Sequence, residues 1–141
     1  MGYTRYDFKT ADKLLEVSNA LLREYAGDLN SLHRLAADQS DLERRLKQLA
    51  KGVGDVTVNI FLREMRGIWP KAQPLPSAKM VQAAKALGLI DIGLCDGPII
   101  LNALKEAARD DGIQPEDFVE FEAALVRFGL VSRRKAFLEK T

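Results

Sequence analysis

Apolar residues recur at helical spacing along most of the chain. In residues 7–26, Ala11, Leu14, Leu15, Ser18, Leu21, Leu22 and Tyr25 share one face. This predicts a long helix that turns that face to the core and stops at Gly27. Leu29, Leu32 and Leu35 predict a short helical turn within 29–37. Leu42, Leu46 and Leu49 form the stripe of a further helix, opened by the capping-box pair Ser40 and Glu43. Lys51-Gly52-Val53-Gly54 interrupts it, and Val58, Phe61, Leu62 and Met65 resume the helical spacing. Residues 67–78 hold three prolines and no helical pattern, so they predict a loop, with Trp69 as a packing anchor. Met80, Val81, Ala84 and Leu87 predict a helix capped by Ser77 and ended by Gly88. After a second loop over 91–97, Ile100, Leu101, Leu104 and Ala108 mark a helix from Pro98 to Gly112. Pro115 starts the next, with Phe118, Phe121, Leu125 and Phe128 buried and Gly129 as its stop; residues 132–137 then read as a short basic turn. No stretch alternates with the period of a strand, and nothing repeats. The fold class is all-α, and 141 residues suit one domain, 1–141, built around a hairpin at about 41–66.

The hairpin carries the chemistry. Gly52 and Gly54 flank one apolar residue, so the backbone can take positive φ and approach another molecule closely. A helix that begins at Gly54 or Asp55 offers unpaired backbone N–H groups and the positive end of its dipole. Phosphate fits such a place without a side chain closing over it. The candidate contacts are Lys51, Gly52, Val53, Gly54 and Thr57, with Arg44 on the preceding helix. A plain helical hairpin whose glycines only make the turn has the same pattern. Asp55 opposes a phosphate at the turn unless it points away.

Composition narrows the partners. The formal net charge is +1, so any nucleic-acid contact must come from local clustering. A single cysteine excludes an internal disulfide and a cysteine-ligated iron–sulfur cluster, and nothing basic beside Cys95 in sequence activates its thiol. His33, the only histidine, has no ligand-spaced acids or thiol near it and reads as a capping or solvated residue. No apolar run reaches the length of a membrane span and no signal peptide is visible, so a soluble cytoplasmic protein without membrane partners is expected.

Several segments, in order, resemble the endonuclease III-like DNA glycosylases, the helix-hairpin-helix superfamily called HhH-GPD. They are Gly2-Tyr3-Thr4-Arg5-Tyr6, Leu21 to Asp28, Gly52-Val53-Gly54 followed by Thr57, and Ile60 to Glu64 before Gly67-Ile68-Trp69-Pro70. The likeness covers residues 2–90 and is faint beyond. It implies a hairpin that clamps the backbone of duplex DNA without reading sequence. It also implies a monovalent cation, sodium or potassium, held by the backbone carbonyls of Gln48, Ala50 and Val53, and no other cofactor.

The resemblance stops at the chemistry. Bifunctional members place a lysine just before the position of Thr57 to form a Schiff base, and Val56 stands there. Members also place a carboxylate shortly after the hairpin helix, and no Asp or Glu lies between Met65 and Ile90. No catalytic residue is assigned. The expected function is DNA binding related to base-excision repair. Two alternatives stay open: a monofunctional glycosylase with its acid relocated to Glu64 or Asp91, or supplied with a partner half, and an interaction module that has lost DNA. The likeness begins well inside the family fold, so a homodimer or a partner chain is expected to complete the helical domain and cover residues 11–25.

Overall fold

The computed structural model describes residues 7–140, with side chains from residue 9 onward. Gly2 to Tyr6, which carried part of the resemblance, lie outside the described residues. The elements are α1 (Asp7–Tyr25), α2 (Leu29–Leu35), α3 (Gln39–Lys47), α4 (Asp55–Glu64), α5 (Ala78–Ala86), α6 (Gly97–Asp110), a short 3-10 turn (Pro115–Asp117) and α7 (Phe118–Glu139). No strand occurs among the described residues, so the all-α expectation holds. The chain was expected to form one domain; its contacts group into two compact units, Met1–Gln73 and Pro74–Thr141.

The first unit is built by short amphipathic helices. Leu42, Leu46 and Leu49 from α3 and its C-terminal turn meet Val58 and Leu62 of α4, with Phe61 and Met65 packed at the edge. These are the positions the helical spacing selects. The start of α3 differs from expectation. Asp38 is its N-cap and accepts from the Asp41 N–H, so the helix opens at Gln39 rather than at a Ser40 capping box. The α1 helix differs more. Its inward residues are Val17, Ala20, Leu21 and Tyr25, whereas Leu14 and Leu15 are 63% and 62% exposed and Leu22 63%. The expectation that the leucine face enters the core is therefore wrong for these three residues. The helix ends as a glycine stop should, except that the left-handed turn takes two residues, Ala26 at φ +54° and Gly27 at φ +78°.

Residues 65–73 strap this unit together. Trp69 is buried, stacks on His33 with ring centroids 4.9 Å apart, and meets Phe61 of α4 edge-on at 5.6 Å. Its indole N–H donates to Asn30 Oδ1 at 3.0 Å, which satisfies the one polar atom the ring buries. Lys71 donates its ammonium to the backbone carbonyls of His33, Arg34 and Ala36. It thus neutralises the negative end of α2, where unpaired carbonyls collect.

His33 is held below its ordinary pKa, first by burial and then by the positive charges of Lys71 and Arg34. The unfolded chain therefore takes up a proton that the folded chain resists. Stability from this source is complete above about pH 6.5 and declines as pH falls through that value. Urea midpoints at pH 7.5 and 5.5 should differ in the wild type, and the difference should shrink in His33→Phe.

In the second unit α5 packs along α7 and α6 lies against α7. Met80, Ala83, Ala84, Ile100, Leu101, Leu104, Ala108, Phe118 and Leu125 form its core. Ser77 caps α5 by accepting the Met80 N–H at 3.3 Å, as expected. Leu87 and Phe128, expected inside, are 47% and 39% exposed. Gly129 is not a stop: α7 runs through it to Glu139 and absorbs the supposed basic turn. The glycine is there for proximity. A Cβ on it would lie 3.2 Å from the Lys79 carbonyl oxygen of α5 and 3.5 Å from the Ala83 methyl. Gly129→Leu should drive α5 away from α7 and cost about 1–3 kcal/mol by overpacking, read from urea denaturation.

Candidate phosphate-binding hairpin

Three pieces build the hairpin. The α3 helix supplies its first arm, with Arg44, Arg45 and Lys47 in the last turn, where cations complement the dipole. Gln48 continues in helical geometry and donates its N–H to the Arg44 carbonyl at 3.1 Å. Leu49 and Ala50 are buried and fix the turn to the core. The chain then reverses through a β-turn over residues 50–53, closed by the Val53 N–H donating to the Ala50 carbonyl at 3.2 Å. Gly52 occupies its third position at φ +92°. That is the type II form, which favours glycine there.

Gly54 follows as the N-cap of α4 at φ −105°, with its carbonyl accepting the Val58 N–H at 3.0 Å. No side chain caps this helix, and nothing lies within 4 Å of the place a Gly54 Cβ would occupy. The N–H groups of the first α4 turn, which ends with exposed Thr57, therefore meet no capping side chain. Val53, between the glycines, packs against the core edge and anchors the turn without covering it.

The charges sort into spent and available. Asp41 accepts the Ala37 N–H, Arg45 Nε at 2.9 Å and the Arg44 guanidinium. These contacts, the backbone donor foremost, hold its carboxyl well below the usual range. Arg44 also donates to Gln48 Oε1 at 3.3 Å. Its half-exposed side chain thus runs along α3 between Asp41 and Gln48. Lys47 pairs with Asp55, and that hydrogen bond raises the lysine pKa. The pairing answers the objection that Asp55 raised, because its charge at the mouth of α4 is matched.

Two residues at the turn come from α1. Glu16 Oε1 accepts the Lys51 backbone N–H at 3.2 Å. Lys13 lies over Gly52, its Nζ 2.9 Å from the position of a Gly52 Cβ. Neither Lys13 nor Lys51 makes an ion pair among the described residues. The sequence offered no sign of Lys13 or Glu16, which sit among other charges on a helix far along the chain. Of the expected contacts, the structure brings together Lys51, Gly52, Val53, Gly54 and Thr57. The Ala50 carbonyl closes the turn and keeps a second lone pair, and Gln48 begins the reversal.

The other sequence candidates lie elsewhere. Glu64 is exposed at the last position of α4. Asp91 accepts the Gly93 N–H at 2.7 Å in a tight turn of the second unit. Cys95 is exposed, with Sγ 3.4 Å from the Gly93 carbonyl. Among the described residues no group of three or more His, Cys, Asp or Glu side chains is placed to hold a metal ion, and no helix is long and apolar enough to cross a membrane. No known family, curated protein or solved structure matches this chain.

Proposed function

We propose that this protein binds the backbone of duplex DNA through the α3–α4 hairpin, without reading sequence, as a helix-hairpin-helix protein related to base-excision repair glycosylases and lacking their chemistry. One observation carries the reading. A type II turn delivers the chain to a helix N-terminus whose cap is a bare glycine with open space in front of it. Backbone donors, a dipole end and a lysine on either side of the turn then suit a phosphate. Arg44, Arg45 and Lys47 are each matched by a carboxylate of the chain, so the unmatched local positive charge at the turn comes from Lys13 and Lys51. A monovalent cation on the Gln48, Ala50 and Val53 carbonyls belongs to the same proposal, and exchange of potassium for lithium would then weaken binding.

The test is fluorescence anisotropy with duplex DNA between 50 and 200 mM salt. Binding should fall steeply with salt and be equal for unrelated sequences. Lys13→Gln, at an exposed residue on the side of α1 that meets the hairpin, should weaken it several-fold and lower the salt slope by about one unit. Absence of binding by folded protein at 50 mM salt would sink the reading.

A further inference from the structure

We propose that α1 pairs with the α1 of a second copy of this chain, antiparallel, through its exposed leucine stripe. This inference stands on α1 alone and does not depend on DNA binding. At about 100° per residue, Ala11, Leu14, Leu15, Ser18 and Leu22 fall within one stripe, continuous along one edge with the core residues Leu21 and Tyr25 and turned away from inward-facing Val17 and Ala20. All five stripe residues are exposed, and the three leucines are more than 60% exposed. The apolar arc of the helix is therefore wider than the part the core covers. A stripe of this width is the pattern of a helix that packs on another helix.

The charges beside the stripe identify the occupant. Asp12 and Arg23 are about three turns apart and so lie on the same flank, next to Leu15 and Leu22. In an antiparallel pair related by a two-fold axis, each flank meets the same flank of the other copy in reverse order. Asp12 of one copy then comes alongside Arg23 of the other, twice. A parallel pair loses this match, because it sets opposite flanks together. The stripe is also complementary to itself in the antiparallel order. An axis crossing between Leu15 and Ser18 sets Leu15 against Ser18 and Ala11 against Leu22, large against small, and leaves Asp12 about 3 Å along the axis from the other copy's Arg23, within an arginine's reach. Among the described residues Arg23 pairs with its exposed neighbour Glu24, at 3.3 Å. Such an exposed contact holds the arginine weakly and is readily exchanged. Lys13 and Glu16 lie on the side of α1 that meets the hairpin, so pairing leaves the turn open.

Sedimentation equilibrium of the whole chain should show a dimer. Leu15→Glu/Leu22→Glu, folded by circular dichroism, should raise its dissociation constant at least tenfold. Arg23→Asp should weaken the dimer, and Asp12→Arg/Arg23→Asp should restore it. In a Cys95→Ser background, Ala11→Cys and Leu22→Cys chains should form disulfides when mixed and not when alone. A monomeric wild type, a dimer indifferent to the leucine changes, or equal cross-linking of Ala11→Cys with itself would each overturn the proposal. So would failure of the charge swap to restore dimerisation.

Discussion

Gly54→Asp should fold at least as stably as the wild type and lose DNA binding at least tenfold. The two effects separate because the N-cap of α4 is open. Aspartate is among the best N-cap residues, and its carboxylate accepts an N–H from the first turn of the helix it caps. Gly54 has φ −105° and free space at its Cβ, so the new side chain enters without strain. The gain over glycine is small, a few tenths of a kcal/mol, and the nearby Asp55 charge holds it down. The same carboxylate occupies the donors that a phosphate would use and places a negative charge against it. Urea denaturation and anisotropy on one preparation read both quantities. Undiminished binding by Gly54→Asp would mean that phosphate does not sit at the α4 N-terminus.

Gly52 is a poorer probe of the same site. At φ +92° any other residue is strained, and its Cβ would meet the end of the Lys13 side chain. A left-handed backbone costs an L-residue about 1–2 kcal/mol, so Gly52→Leu disturbs the turn and Lys13 together. Loss of binding in a variant of both glycines would mix a broken turn with a blocked contact. The two glycines of one short motif thus do different work. Gly52 makes the bend, and Gly54 leaves the helix end bare.

The contrast marks how far the sequence could be read. Leu42, Leu46, Val58 and Leu62 were legible as core because each short helix has one apolar stripe and no other place for it. The α1 helix carries more apolar residues than one face needs. Periodicity groups Leu14, Leu15, Ser18 and Leu22 but does not say which group meets the core, and the smaller set with Val17 and Ala20 does. Gly129 failed for a related reason. A glycine that ends a helix and one that lets a second helix approach look alike until the Lys79 carbonyl is seen beside it. Ser40 and Asp38 both have an acid three residues on, and the structure caps α3 with Asp38. At the site, the glycine turn was visible because backbone geometry selects residue type. Lys13 was invisible because only the packing of α1 brings it there.

Trp69→Ala should destabilise the first unit by about 3–5 kcal/mol, the range for removing a large buried aromatic side chain. Three interactions end at once: the stack on His33, the edge contact with Phe61 and the hydrogen bond to Asn30. Asn30 is exposed, so water replaces that bond. The cavity is the larger cost, since Phe61 and the buried Leu62 belong to the helix that forms the second arm of the hairpin. Domains of this size have about 5–15 kcal/mol in all, so the variant should sit close to unfolding at room temperature. Far-UV circular dichroism in urea reads the change, because the substitution removes the only tryptophan and with it the fluorescence signal. A shift below about 1 kcal/mol would mean that the strap over residues 65–73 does not hold the unit together. Removal of the ring also uncovers His33, so its pKa should return toward the ordinary range. The decline in stability near pH 6.5 should then fade, which ties the packing of the strap to a titration that can be measured independently.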